Sequence, residues 1–274
     1  MKPIINQKVA LFVNARDETH IKEWAAHHLL IGFDTIVIFD HKSKIPLQTV
    51  FTGFDKRVKI VNVSYLKNGI KMPLMNTAAG IAKQQGFDWM IYLDADEFII
   101  LHDKFRGIKH FLSHYQHAHS LGVNWLMFGS NNLIKEPDGL IFENYTKSDS
   151  KLDQHVKSFV RPREIVNANN PHFYNIRNKL KMYGVDNRIV TGVEAFHKID
   201  IKYGEAPAYI AHYVNQSEET YKRRKVLLPR DDTGTQRNAG EIKKIHDQHN
   251  DYDNLQPMTK YAATIKQFLA FYNR

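Results

Sequence analysis

The chain has 274 residues, 43% of them hydrophobic, which suits one large globular domain or two small ones and excludes a disordered chain. It contains no cysteine, so disulfides, thiolate metal sites and a cysteine nucleophile are excluded. The formal charge of +9 calls for an anionic partner or a solvated basic face, yet no DNA- or RNA-reading motif accompanies it, and no nucleic acid is expected.

The opening "MKPIINQKVALFVNARDE" reads as a first strand and not as a signal peptide. No apolar run approaches the ~20 residues of a membrane span. The expected location is cytoplasmic, with peripheral contact at an anionic inner membrane face as the membrane role that the charge suggests. Strand patterns at 9–14, 35–40, 58–63 and 89–94 alternate with helical patterns at 17–30 and 73–85, the second stopped by Gly86. Such alternation predicts parallel pairing in an α/β sheet covered on both faces, with ligands gathering beyond the carboxyl ends of the strands. Asp17, Asp40, Asp94 and Asp96 all fall at those ends.

Beyond residue 97 the rhythm changes. Residues 105–117 read as a helix, 121–129, 139–145 and 156–162 as strands, and 163–207 as irregular. A late strand is expected at 208–214, then helices at 217–228, 238–248 and 257–272. The last carries Tyr261, Ile265, Phe268, Leu269 and Tyr272 at helical spacing and reads as a core-packing helix.

"FDWMIYLDADEFIIL" (87–101) sets Asp94, Asp96 and Glu97 inside an otherwise buried strand. Unpaired buried carboxylates cost several kcal/mol, so these acids must meet a cation, a hydrogen-bonding ligand or water. Alternate residues of an extended segment face one way, so Asp94 and Asp96 can address one ligand. Hard oxygen ligands so placed suit Mg²⁺ or Mn²⁺ bridging to phosphates. No GxxxxGK loop, GxGxxG fingerprint or GxSxG elbow is present, which removes the usual support for kinase, dinucleotide and hydrolase readings.

Six blocks together carry a resemblance: "RDE" (16–18) with "EWAAHHLLIGFD" (23–34), "DWMIYLDADEF" (88–98), "DGLIFENYT" (138–146), "KSFVRP" (157–162) and "HYVNQSEETYKRRK" (212–225). In this order they resemble glycosyltransferase family 92 and related family 2-like glycosyltransferases. The resemblance implies an α/β GT-A fold with a mixed, mostly parallel central sheet. It places a GT-A domain at 1–230, its donor half at about 1–100 and its acceptor half at about 101–230, with a helical tail at 231–274. It also implies a metal-dependent, inverting transfer from a nucleotide diphosphate sugar to a glycan, lipid-linked or other hydroxyl acceptor. A sugar nucleotidyltransferase and a non-catalytic nucleotide-sugar or carbohydrate-binding module are the alternatives, the first weakened by the absence of a glycine-rich nucleotide loop.

By the same resemblance Asp94 and Asp96 are the DxD pair and His212 completes a Mn²⁺ or Mg²⁺ site. Asp96 is the direct ligand, and Asp94 lies nearer the ribose or metal-bound water. Arg16, Asp17, Glu18 and Asp40 hold the nucleotide. Lys222, Arg223 and Arg224, just downstream of His212, supply charge to the diphosphate if the 217–228 helix faces the site, and the run "KRRKVLLPRDDTGTQRNAG" (222–240), with Pro229, Gly234 and Gly240, reads as a mobile gate over the donor. "FGSNN" (128–132) and Asn144 depart from the family's pattern, which leaves the acceptor side less defined. The base is sought among Asp138, Glu143, Asp186 and Glu194, with Glu143 preferred and Asp186 next. Glu97 reads as a structural acid, Glu23, Trp24 and His28 as packing under the sheet, and His172 as the rival of His212. His110, His114 and His117 share a helical spacing that zinc would need, but no acid supports them.

Overall fold

The computed structural model describes residues 6–177, 180–191, 195–237, 240 and 246–272. The strands are β1 (Val9–Ala15), β2 (Thr35–Asp40), β3 (Val58–Asn62), β4 (Trp89–Tyr92), β5 (Glu97–Leu101), β6 (Ser120–Met127), β7 (Lys147–Ser148), β8 (Val156–Val160), β9 (Ile165–Asn167), β10 (Asn175–Ile176), β11 (Met182–Gly184), β12 (Ala208–His212) and β13 (Tyr252–Asp253). The helices are α1 (Ile21–Leu30), α2 (Leu47–Val50), α3 (Lys71–Gln84), α4 (Ile108–Leu112), α5 (Ile141–Asn144), α6 (Glu218–Tyr221) and α7 (Gln256–Tyr272).

One mixed sheet of nine strands organises the described residues, in the order β3-β2-β1-β4-β8-β6-β12-β5 with β11 added beside β6. Its first four strands are parallel, as the alternation predicts, and β8 then runs antiparallel to both β4 and β6. β12 returns parallel to β6 and antiparallel to the edge strand β5. This is the mixed α/β sheet with flanking helices expected of a GT-A domain.

Period-two alternation decides which side chain meets which layer. Val9, Leu11, Val13 and Ala15 face the core under α1 and α7, while Ala10 and Phe12 face α3. Both long donor-half helices end in the same way. Gly32 and Gly86 take positive φ at the position after the cap, and Phe33 and Phe87 return N–H groups to His28 and Ala82. The chain thus turns back into β2 and β4 at fixed points.

Beyond β5 the structure departs from expectation in several places. Residues 139–145 form the short helix α5 and not a strand. The carboxylate of Glu23 accepts the N–H groups of Ile141 (2.8 Å) and Phe142 (3.4 Å), capping the new helix from α1. The 105–117 helix shortens to α4 followed by a 3₁₀ turn at Ser113–Tyr115. The 217–228 helix begins on Ser217, whose Oγ accepts from Thr220 N, and continues as a π-turn over Lys222–Val226. The 163–207 region includes β9, β10 and β11. The 238–248 helix lies largely outside the described residues. α7 packs on α1 and α5, burying Ile265 and Ala262, and its Tyr261 Oη accepts from Leu101 N.

His20, just before α1, lies 3.2 Å from both Glu23 and Glu136, joining α1 to the 130–139 loop. Burial alone would lower its pKa, but the two carboxylates overcome it and raise the imidazole to about 9 from 6.5. The charged form is therefore favoured in the folded chain. Its contribution is complete below the unfolded value of 6.5 and is lost as pH rises through about 9. We expect His20→Gln to flatten the fall in thermal stability between about pH 6 and pH 9, an effect of at most roughly 3 kcal/mol. Melting curves of both proteins across that range check it.

Candidate active site

β1 and β4 end side by side, and the chain leaves β4 through Leu93-Asp94-Ala95-Asp96 before re-entering the sheet as β5. The antiparallel register of β5 with β12 sets His212 opposite Glu97, and Tyr213 N–H donates to Asp96 O at 2.8 Å. β12 lies parallel to β6, so Trp125 and His212 share that wall, their ring centroids 4.3 Å apart. These elements line a cleft closed on its far side by Leu228–Asp232 and Arg237.

Each acid of the DxDE run has partners. Asp94 accepts from Lys71 Nζ and, at 3.0 Å, from Lys157 Nζ. Asp96 has no exposure, and its Oδ2 accepts from Lys225 (2.9 Å) and Arg224 (3.2 Å). The π-turn holds these two consecutive cations on one carboxylate. Glu97 Oε2 accepts the N–H of Asp94 at 2.8 Å, bracing the turn as a structural acid would. Burial would push the Asp96 carboxyl up, but Lys225, Arg224 and His212 hold it well below the usual carboxylate range. For Glu97 burial wins and raises the carboxyl to about 7. Burial and the nearby Lys157 charge lower the Lys71 ammonium to about 7.

His212 is buried, which lowers its imidazole to about 3 against the pull of Asp96. Its Nε2 stands 3.8 Å from Asp96 Oδ1, and both that oxygen and His212 Nδ1 are buried without a hydrogen-bond partner among the described residues. An unpaired carboxylate oxygen facing a neutral imidazole fits a divalent cation that takes its remaining ligands from phosphate. Asp94, held by two lysines, does not converge with them, and no closed group of three such ligands occurs among the described residues.

The other predicted residues divide. Arg16 and Glu18 line the cleft, with Glu18 Oε2 2.7 Å from Arg224 Nε. Asp17 and Asp40 shape loops beside it: Asp17 Oδ1 accepts from Lys44 N, and Asp40 accepts from Ser43 N and Leu47 N. Lys222 is exposed, and Arg223 turns to Glu136 and the carbonyl of Asp17. Neither of these two lines the cleft; Arg224 and Lys225 do. Glu143 is taken by Lys266 at 2.6 Å, and Asp186 by Arg188 and His197, all away from the cleft lining. Asp138 is exposed, and Glu194 lies outside the described residues. His172 lines the cleft with its ring 5.1 Å from Trp125, whereas His110 and His114 pack on Phe105 and His117 on Tyr183.

Sequence reasoning passed over Lys71, Lys157 and Asn14, and the contacts that seat the 229–237 strap. Lys157 left a signal, a lone lysine within the apolar "VKSFV". It is 1% exposed, and a buried ammonium requires an anion. The seating contacts of the strap left none, because they are made across the chain: Asp231 O accepts from Lys71 N (2.8 Å) and Asp231 Oδ2 from Asn14 Nδ2 (2.6 Å).

Among solved structures, HddC from Yersinia pseudotuberculosis overlaps 65% of this chain and 90% of its own, at 10% identity and a TM-score of 0.37. TarS 1-349 of S. aureus in complex with UDP overlaps 57% and 47%, at 12% identity and 0.34. Glucosyl-3-phosphoglycerate synthase from Mycobacterium tuberculosis, in complex with Mn²⁺, UDP and glucosyl-3-phosphoglycerate, overlaps 44% of each chain, at 10% identity and 0.27. Overlaps this partial bear on neither activity nor site. No curated protein matches the sequence. The sequence profile of Glycosyltransferase family 92 matches residues 10–253, a span that holds the whole sheet and the cleft, and the chain belongs to that family of glycosyltransferases.

Proposed function

We propose that the cleft transfers a sugar, with inversion at its anomeric carbon, from a nucleotide diphosphate sugar to a hydroxyl of a glycan or lipid-linked acceptor. Mn²⁺ or Mg²⁺ would be held by Asp96 and His212, with Asp94 beside them. One observation supports this reading above the rest. A buried acid with a free oxygen next to a neutral imidazole shares its cleft with Lys71, Lys157, Arg224 and Lys225. A diphosphate and its counter-cation need both kinds of group at once.

A divalent cation held by Asp96 and His212 would supply positive charge to the departing diphosphate. The four cations of the chain add charge from fixed positions, so little reorganisation is needed during the reaction. The acceptor oxygen bonds to C1 as the bond from C1 to the diphosphate oxygen breaks, and the nucleoside diphosphate leaves with the bonding pair. The acceptor proton must pass to a base. Since Glu143 and Asp186 are engaged elsewhere, that role falls to the strap acids Asp231 and Asp232, which line the cleft. With no helix among the described residues long and apolar enough to cross a membrane, a lipid-linked acceptor would be met at a membrane surface.

Asp96→Asn, which keeps the shape and removes the charge, is expected to lower transfer at least about a hundredfold while the melting curve shows a folded protein. Released nucleoside diphosphate measures it, and wild-type turnover by this variant in EDTA-treated buffer refutes the metal reading. His212→Ala is expected to weaken Mn²⁺ binding in the presence of nucleoside diphosphate about 10–100-fold, and His172→Ala to leave it nearly unchanged. The opposite ranking in a calorimetric titration reverses the assignment. The basic turn and the strap are expected to act as a gate, their amide protons across 220–237 (Pro229 having none) exchanging more slowly once nucleoside diphosphate and Mn²⁺ bind. Equal exchange at saturating ligand removes the gate.

A further inference from the structure

Trp125 does not stop at the cleft. Its ring stacks on His155 (5.1 Å, 18° between planes), and His155 meets Phe196 at 4.6 Å. On the inner side Trp125 touches His212 at 4.3 Å and His172 at 5.1 Å, both of which line the cleft. Together they make a continuous run of rings from the candidate metal ligands to the surface, where the side chain of His155 is 35% exposed and Phe196 is 37% exposed. Three separate segments are held in place to build it. Trp125 sits in β6, His155 is fixed by Asp153 at 2.6 Å, and Phe196 is joined to His155 by a β-bridge.

We infer that this run is the acceptor platform and that it takes a neutral oligosaccharide, its terminal sugar over Trp125 and the preceding sugars over His155 and Phe196. This rests on the sugar-transfer reading above. A pyranose presents a C–H face and a rim of hydroxyls, so it suits a flat ring with polar groups at its edge. Rigid rings also lose little side-chain entropy on binding, which a wide, open site needs. The wall that faces the diphosphate is crowded with ammonium and guanidinium groups, whereas among the described residues Lys157 alone packs over a ring of the run, 5.9 Å from Trp125 at its inner end. Asp153 adds negative charge farther out. An anionic chain would find little to pair with there, and a neutral one loses nothing.

The position of Trp125 supplies the test. Trp24 and Trp89 have no exposure, so a ligand-dependent change in tryptophan emission reports on Trp125. The full chain is titrated with linear mono- to pentasaccharides of glucose, galactose, mannose and N-acetylglucosamine, and separately with nucleoside diphosphate plus Mn²⁺. A saturable emission change that strengthens from mono- to trisaccharide in at least one series is expected. Phe196→Ala, at an exposed site, is expected to weaken the trisaccharide roughly tenfold and leave the monosaccharide nearly unmoved. An equal loss for both lengths overturns the outward path. No saturable change with any series, while nucleoside diphosphate still binds, overturns the platform and leaves the donor reading standing. Failure of nucleoside diphosphate to bind overturns both.

Discussion

Asp96 has to keep a charge where no water reaches it, and much of the architecture around the cleft follows from that requirement. An isolated carboxylate in such a place would cost several kcal/mol, or would take up a proton. Here Arg224 and Lys225 reach one oxygen from a segment 128 and 129 residues farther along the chain. Bringing them there requires β12 to enter the sheet between β6 and β5, since the turn that carries the two cations follows it directly. The same register delivers His212 to the other oxygen of Asp96. One buried charge therefore links the turn after β4 to the segment that follows β12.

The cleft that results is nearly neutral within itself before any ligand arrives. Asp94 is met by two lysines, Asp96 by Lys225 and Arg224, and Arg224 in turn by Glu18. Such pairing fixes the cations where a diphosphate would need them, and it lets them exchange one anion for another without leaving the low-dielectric site. It also explains why so many like charges can be close together. Burial first, and then the charge of Lys157, lower the Lys71 ammonium, and the carboxylate between the two lysines makes the arrangement tolerable.

Buried polar groups elsewhere follow the same rule. Glu23 caps the unpaired N–H groups of α5, and His27 and His28, also fully buried, pair with the backbone at Ile99 and Trp24. These contacts tie α1 to β5 and α5. α7 seals that region with Ile265 and Tyr261, joining the C-terminal segment to the common core.

The donor half was legible because its instructions are local. Period-two apolar runs, helices ended by Gly32 and Gly86 and acids at strand ends specify β1 to β4 without reference to the rest of the chain. The acids of the DxDE run were equally plain, since three carboxylates in an apolar strand are costly wherever they fold. The partners of those acids were less so. Lys71 looks like an ordinary surface lysine until the sheet closes around it, Lys157 shows only that it needs an anion and not which one, and Glu143 keeps its place in a recognisable block although Lys266 occupies it. "GLIFENY" alternates too weakly to announce α5, whose cap comes from Glu23, 118 residues away. What the sequence by itself determined is the α/β half-sheet, the acidic turn at its edge and the need for a countercharge, because each arises within one turn or one strand. Which cations answer, which histidine stands beside Asp96 and which acids are spent on salt bridges depend on pairings between distant strands, and only the tertiary structure decided them.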